Sequence, residues 1–265
     1  MRDMRVGEKP TSKEFLKERE KTLWMVARFP FPNNATVLNT YRVLPECFDN
    51  FYKKEEHINL INFKEMGIFD DVINNTKRCL EIGCGGGKAI QQIYDLNRAG
   101  NGIKTIYSAL EPEPEAFEFA TDYLKGKDIL IVNKTIEKAK FKAGSFDFIY
   151  SHHVFEHLKT PMIMIEKSYK WLVKGGKMMV SSPNADAFHP KFFDINKWRN
   201  TFSTHVWLPG KKTFCKLMEE TGFKVVKFFT YGGFVAPRNI FKEFGNWLLK
   251  KTNMGDNMVV LLEKK

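Results

Sequence analysis

The 265-residue sequence contains few cysteines and no long hydrophobic run, and both shortages narrow the classes of protein it can belong to. Its four cysteines (Cys47, Cys79, Cys84 and Cys215) lie far apart, without the paired spacing of a zinc site or a disulfide framework. No stretch is apolar enough to span a bilayer, and the N-terminus lacks the apolar core of a signal peptide. We therefore expect a soluble, cytoplasmic protein with reduced thiols and no membrane span.

Long runs of like charge are also missing, although the net charge is +11 at pH 7. The excess is concentrated towards the C-terminus, where residues 205–265 carry 11 basic and 5 acidic side chains. A basic surface favours anionic partners, such as a phosphorylated metabolite, a nucleotide-linked sugar or nucleic acid. A well-solvated lysine surface that binds no ligand is the alternative interpretation.

The middle of the chain alternates short apolar runs with longer amphipathic stretches. Seven runs are predicted strands, at residues 78–82, 105–111, 128–133, 146–150, 177–183, 224–231 and 256–264. This alternation is typical of an α/β fold with a doubly wound, seven-stranded and mostly parallel sheet. Residues 1–75 do not follow the pattern, and we predict a helical N-terminal extension or cap there.

The first predicted strand leads directly into a glycine-rich loop, in the sequence CLEIGCGGGKAI at residues 79–90. Such a loop lies at the carboxyl edge of an open α/β sheet, where ligands bind, and its glycines allow close approach of the backbone. The pattern predicts a site for a nucleoside-like cofactor. The dinucleotide fingerprint Gly-x-Gly-x-x-Gly is incomplete, because Lys88 follows Gly83 and Gly85 at the third position. Glu111, at the end of the second predicted strand, can accept hydrogen bonds from ribose hydroxyls, as in NAD sites.

Several motifs in the same order resemble those of the class I S-adenosylmethionine (SAM)-dependent methyltransferases. LEIGCGGGKAI is similar to the first motif of that family, SALEPEP to the second, FDFIYSHHVFEHL to the fourth, and WLVKGGKMMVSSPN to the helix, turn and fifth strand. The resemblance covers residues 76–265 and implies a Rossmann-like sheet with its last strand inserted antiparallel. It also implies SAM as the cofactor and S-adenosylhomocysteine (SAH) as the product.

The resemblance assigns cofactor-binding roles at the ends of four strands. Glu81 would reach the amino group of the methionine portion, Glu111 would bind the ribose, and Pro112 would pack near the adenine. The other implied contacts are Gly83, Cys84, Gly85, Gly87, Thr135, Ile136, Ser151 and His152. The alternative for each glycine is an ordinary turn.

Three residues able to do chemistry follow the fourth predicted strand, in SHHVFEHL. If this stretch opens a helix, His153, Glu156 and His157 project from one face. With His205 they form a credible set of ligands for zinc, manganese or iron. The layout resembles small-RNA 2'-O-methyltransferases and ubiquinone-pathway O-methyltransferases, in which Glu-x-x-Glu-His and a later His bind a metal; here His153 replaces the first Glu. A metal-free site with His157 or His153 as general base, and a purely structural role, are the alternatives.

Segments near residues 184–205 and 231–252 lie outside the common core and are predicted to form substrate lids. Within them Lys197, Arg199 and Arg238 could pair with a phosphate or carboxylate of the acceptor. We expect O-methylation of a small, polar, hydroxylated or phosphorylated metabolite, such as a sugar or a surface-glycan precursor of polysaccharide biosynthesis. The alternatives are a metal-dependent RNA 2'-O-methyltransferase, a nucleotide-binding oxidoreductase and a catalytically idle SAM-binding protein.

Overall fold

The computed structural model of the protein describes residues 72–73, 75–99, 104–188, 206–231, 245, 247–249 and 251–265. Most of the predicted N-terminal extension and most of both predicted lids lie outside these residues. So do four predicted site residues, Lys197, Arg199, His205 and Arg238. Among the helices of the described ranges, none combines the length and the apolar character needed to cross a membrane.

The described residues contain a seven-stranded sheet. Its strands are β1 (Arg78–Ile82), β2 (Ile106–Leu110), β3 (Ile129–Val132), β4 (Phe146–His152), β5 (Leu172–Pro183), β6 (Phe223–Tyr231) and β7 (Asn257–Lys264). The helices that connect or flank them are α1 (Lys88–Ala99), α2 (Pro114–Tyr123), α3 (Pro161–Trp171) and α4 (Lys211–Glu220). A short 3-10 turn at Phe155–His157 follows β4.

The strands are arranged in the order β3-β2-β1-β4-β5-β7-β6. Strand β1 runs parallel to both of its neighbours, with Cys79 opposite Tyr107 in β2 and opposite Phe148 in β4. Strand β2 is likewise parallel to β3. The last strand of the chain, β7, is inserted between β5 and β6. The predicted fold class, an α/β protein with a Rossmann-like seven-stranded sheet, is confirmed.

The central strands β1 and β4 are buried along almost their whole length, as expected for a parallel sheet that is covered on both faces. Leu80 in β1 and Phe148 and Ile149 in β4 are fully buried. Each such side chain stabilises the fold by about 1.5–3 kcal/mol relative to exposure. The burial of these strands fixes their register, and the register brings the loops that follow them to one edge of the sheet.

Two local predictions were wrong. Ser151 and His152 lie within β4 and not beyond it. The stretch after β4 does not open an α-helix, because His153 has a left-handed backbone (φ 54°) and only three residues of 3-10 turn follow. His153, Glu156 and His157 therefore do not share the face of a regular helix.

The chain divides into two compact units, which are described separately. The glycine-loop unit contains the described residues through His152, together with Glu166–Met179 and Glu263–Lys265. The histidine unit contains His153–Ile165 and the described residues of Val180–Leu262. Strand β5 and helix α3 each contribute residues to both units.

Candidate cofactor and catalytic sites

The glycine-rich loop after β1 is built almost entirely from backbone. The N–H groups of Gly83 and Cys84 both donate to the carbonyl of Leu110, the last residue of β2, at 2.8 and 3.0 Å. Gly85 and Gly87 have positive φ angles of 52° and 80°, a conformation that other L-residues adopt only with strain. The loop therefore turns tightly and presents peptide groups, and not side chains, to a ligand.

Glu111 follows β2 directly and fastens this loop. Its carboxylate accepts hydrogen bonds from the N–H of Gly85 at 2.7 Å and from the N–H of Glu113 at 2.9 Å. Only 5% of the Glu111 side chain and backbone is exposed. Burial raises the pKa of Glu111 to about 7; the two backbone N–H groups oppose this shift, and the nearby Glu113 adds to it. Each carboxylate oxygen retains acceptor capacity, as ribose hydroxyls require.

Glu81, in β1, supplies a second buried carboxylate, with 2% of the residue exposed. Its Oε2 atom has no hydrogen-bond partner in the described part of the chain. Burial raises the pKa of Glu81 to about 8, against a hydrogen bond from the backbone of Ile90, and the charge of Glu111 raises it further. A buried carboxylate oxygen without a donor fits a cationic N–H group such as the α-ammonium of SAM.

The remaining predicted cofactor residues of the glycine-loop unit lie in or near the loops at the ends of neighbouring strands. The Asn133 side chain donates to the carbonyls of Glu111 and Pro112, at 2.9 and 3.2 Å, and so ties the loop after β3 to the loop after β2. Ile136 is buried within that loop. Ser151 is fully buried opposite Ile82 in the β1–β4 register.

Four other predicted residues occupy the same unit. Cys84 is buried, and burial raises the pKa of its thiol, so this cysteine is a neutral wall of the loop. The imidazole of His152 stacks on the ring of Tyr150, with centroids 6.2 Å apart. Thr135 accepts hydrogen bonds at its carbonyl from the backbone of Lys138 and Ala139. The glycine-loop unit thus contains every predicted cofactor residue, although their individual roles stay predictions.

The histidine unit contains a chain of hydrogen-bonded side chains. His153 Nδ1 lies 2.7 Å from Oε1 of Glu156, a residue with no exposed surface. His153 Nε2 lies 3.2 Å from the hydroxyl of Tyr231, and that hydroxyl lies 3.2 Å from Oγ of Ser181. The backbone N–H of His153 also donates to the Ser181 carbonyl, at 3.1 Å. The left-handed turn at His153 thus directs its ring between an acid and a phenol.

Glu156 is held in place by its own backbone. Its carbonyl accepts hydrogen bonds from the N–H groups of Val206 and Trp207, at 2.7 and 3.1 Å. The preceding Phe155 packs edge-on against Phe214 of α4, with ring centroids 4.9 Å apart. These contacts hold the turn that places the Glu156 carboxylate against the imidazole of His153.

Tyr231 and Ser181 were not among the predicted site residues. Both lie in predicted strands, Tyr231 at the end of β6 and Ser181 near the end of β5, so the sequence pattern indicates only a structural role in the sheet for each. A polar residue near the end of a strand is the signal that could have identified them. Burial raises the pKa of Tyr231, and the charge of Glu156 adds to this, against a hydrogen bond from Ser181. Tyr231 is therefore a protonated phenol at neutral pH.

The structure describes only three of the four predicted metal ligands. Among the residues that the structure describes, no three His, Cys, Asp or Glu side chains form a group that could hold a metal ion. Both ring nitrogens of His153 have protein partners, so ligation by this residue would have to break one of those contacts. His205 lies outside the described residues. The metal set of His153, Glu156, His157 and His205 stays a prediction.

Comparison with known proteins identifies the family of the chain. Residues 56–227, well over half of the chain, match the family described as "Methyltransferase domain". The chain belongs to the class I SAM-dependent methyltransferases, as its motifs predicted. A SAM-dependent methyltransferase from Aquifex aeolicus has the same fold, with a TM-score of 0.58 and 12% identity over 83% of this chain and 98% of that chain.

Two curated relatives match part of the chain. The ubiquinone biosynthesis O-methyltransferase of Nitrosococcus oceani is 32% identical over 109 residues, which are 41% of this chain and 44% of that protein. An uncharacterized protein of Methanocaldococcus jannaschii is 30% identical over 107 residues, which are 40% of this chain and 48% of that protein. The matched segments thus span less than half the length of these relatives.

Proposed function

We propose that the protein transfers the methyl group of SAM to a hydroxyl oxygen of a small, polar, anionic metabolite, such as a sugar or a surface-glycan precursor. The observation that carries this proposal is the contact of 2.7 Å between His153 and the buried Glu156. Family membership supports methyl transfer, and the name of the Nitrosococcus relative supports oxygen as the acceptor atom.

The glycine-loop unit would bind the cofactor. Glu81 would pair with the α-ammonium group, the backbone of the glycine loop would line the methionine portion, and Glu111 would accept hydrogen bonds from the ribose. When bound, SAM supplies a methyl group on a sulfonium, which is a strong electrophile. The protein then has to orient the acceptor in line with that methyl group and to remove the proton of the hydroxyl.

The histidine unit offers a base for this proton. An ionised carboxylate only accepts hydrogen bonds, so Glu156 would hold the proton of His153 on Nδ1 and leave Nε2 as the acceptor. Before the acceptor binds, the Tyr231 hydroxyl would hold the ring through its contact with Nε2, with Ser181 behind it. His153 Nε2 would then exchange this contact for the hydroxyl of the acceptor and take its proton, and Glu156 would stabilise the imidazolium that results.

The anionic character of the acceptor is inferred from charge. Within the described residues, the segment from α4 into β6 carries five lysines, at positions 211, 212, 216, 224 and 227. A surface of this sign raises the local concentration of anions and increases their association rate. The predicted lid residues Lys197, Arg199 and Arg238 would add to the same preference. Metal assistance through His205 is the competing hypothesis for activation of the hydroxyl.

The test is methyl transfer from radiolabelled SAM to a panel of sugars, sugar phosphates and nucleotide sugars, after calorimetry has established SAH binding. We expect His153→Gln and Glu156→Gln to lower kcat at least about 100-fold, the usual contribution of a general base, with little change in the Kd of SAH. Glu166→Gln, at an exposed position of α3, is the matched control for Glu156→Gln.

Two outcomes would contradict the proposal. Full activity of His153→Gln together with loss of activity in His157→Gln would assign the base to the other predicted histidine. Loss of wild-type activity on chelation, with recovery on addition of manganese or zinc, would favour the metal-assisted route.

A further inference from the structure

Lys167, in α3, makes an unusual set of contacts with a single loop. Its ammonium group donates to the carbonyls of Ile136 at 2.9 Å, Glu137 at 2.6 Å and Ala139 at 3.0 Å. A lysine ammonium has three N–H donors, so all three are used within this one loop. Residues 135–139 are called the base-side loop below.

The base-side loop is a single hydrogen-bonded turn, and a cation can stabilise the carbonyls that such a turn leaves without backbone partners. Its internal backbone bonds are few, with the N–H groups of Lys138 and Ala139 both donating to the Thr135 carbonyl. A turn this short leaves its later carbonyls without helical partners, and the converging carbonyl dipoles repel one another. Lys167 satisfies these groups with one positive charge. Burial lowers the pKa of Lys167, with Lys140 acting in the same direction and Glu137 opposing it.

The start of the segment is fixed as well. Asn133, which leads into the loop, bonds to the carbonyls of Glu111 and Pro112. Ile136, whose carbonyl accepts from Lys167, is itself buried. The base-side loop is therefore tied to the ribose-binding residue at one end and to α3 at the other, and all of these groups belong to the glycine-loop unit.

The order of the strands indicates what this loop contacts. Strands β1, β2 and β3 are successive neighbours, about 4.8 Å apart in a sheet, and they lead to the glycine loop, Glu111 and the base-side loop in turn. A ligand whose amino-acid portion lies at Glu81 and whose ribose lies at Glu111 therefore extends its base towards the third loop.

We propose that Lys167 is a positioning residue for the nucleobase of the cofactor. By fixing the carbonyls of Ile136, Glu137 and Ala139, it holds the base-side loop in the shape that distinguishes adenine from other purines. The proposal rests on SAM binding by the glycine-loop unit. It does not depend on the acceptor or on the general base of the histidine unit, so a negative result in the O-methyl transfer assay would not contradict it.

The test compares two ligands by calorimetry. SAH carries adenine, whereas S-inosylhomocysteine carries hypoxanthine, in which a carbonyl acceptor replaces the amino donor and N1 changes from an acceptor to an N–H donor. We expect the wild-type protein to bind SAH at least about tenfold more tightly than S-inosylhomocysteine. In Lys167→Met we expect the Kd of SAH to rise about tenfold and the ratio of the two dissociation constants to fall to about threefold or less. Lys170→Met, an exposed lysine in the same helix, should keep the wild-type ratio.

A merely structural role of Lys167 predicts a different result. It would weaken both ligands by the same factor and leave the ratio unchanged, which would overturn the proposal. Equal affinity of the wild-type protein for the two ligands, or failure to bind SAH, would also overturn it. If Lys167→Met does not unfold cooperatively, Lys167→Arg replaces it. A planar guanidinium keeps the charge but cannot direct three donors at converging carbonyls as an ammonium does, so the ratio should again fall.

Discussion

The substitution Glu111→Ala tests the site most directly, because Glu111 has two tasks. Its carboxylate closes the glycine loop through the N–H of Gly85, and it is the predicted partner of the ribose hydroxyls. Alanine removes both functions without changing the backbone of β2. The loop would keep the backbone bonds of Gly83 and Cys84 to Leu110, but the N–H groups of Gly85 and Glu113 would lose their acceptor.

The change in the free energy of unfolding is the balance of two opposing effects. The shift of the Glu111 pKa from 4.5 to about 7 already includes its two backbone hydrogen bonds, so keeping the carboxylate ionised in the folded protein costs roughly 3 kcal/mol above pH 7 even with them. Alanine removes this cost but leaves the N–H groups of Gly85 and Glu113 without an acceptor, at about 1–3 kcal/mol each. The free energy of unfolding should therefore change little. The free energy of cofactor binding should fall by about 1–3 kcal/mol, since the ribose loses charge-assisted bonds and the loop is loosened.

The assay is calorimetric titration of SAH, in parallel with urea denaturation. A loss of about 1–3 kcal/mol corresponds to a Kd raised roughly 5- to 150-fold. Glu115→Ala, at an exposed position four residues further along in α2, is the control and should leave the Kd unchanged. An unaltered Kd in Glu111→Ala would refute the assignment of the ribose to this residue. A large drop in the free energy of unfolding would show that the carboxylate serves mainly the fold.

Three further predictions concern Glu81 and the glycine loop. Glu81 has a pKa of about 8, so its ionised form, the one proposed to pair with the α-ammonium group, increases as the pH rises from 6.5 to 8.5. The affinity for SAH should increase over this range, and a flat profile by calorimetry would count against the pairing. Because the folded protein keeps this proton while the unfolded chain loses it near pH 4.5, the free energy of unfolding without ligand should decrease as the pH rises from 4.5 to 8. Gly87→Ala should lower the free energy of unfolding in urea more than Gly144→Ala does. Both positions have positive φ, at an expected cost of about 1–2 kcal/mol for alanine. The added Cβ would lie 2.7 Å from Leu124 at position 87, but no closer than 3.9 Å to Val173 at position 144. Equal losses would mean that Leu124 moves aside without cost.

The sheet could be predicted from the sequence because its signals are local. Strand β1 was predicted with its observed bounds, since RCLEI is a short run with three apolar residues that leads directly into a glycine loop. Strand β5 begins five residues earlier than predicted, at Leu172. The pair Gly175–Gly176 indicated a turn, but it lies within the strand, where a Cβ on Gly176 would come within 2.9 Å of the Val173 carbonyl.

The contacts that define the candidate sites depend on distant parts of the chain, and these could not be predicted. The Tyr231 hydroxyl meets His153 across 78 positions of sequence, and Lys167 meets the base-side loop across about 30. The left-handed backbone of His153 also has no signal in SHHVFEHL, because a histidine rarely adopts positive φ unless its surroundings impose it. The histidines and carboxylates could therefore be named as candidates from the sequence, whereas their partners Tyr231, Ser181 and Lys167 could not.

The two buried carboxylates of the glycine-loop unit have a consequence for turnover. With raised pKa values of about 8 and 7, Glu81 and Glu111 each keep part of their protons when no cation neutralises them. A ligand with two positive charges, on nitrogen and on sulfur, competes with those protons better than a ligand with one. Methyl transfer removes the charge on sulfur. In the proposed binding mode these charges would favour SAM over SAH, so methyl transfer would weaken the binding of its own product and promote its exchange for a new molecule of SAM.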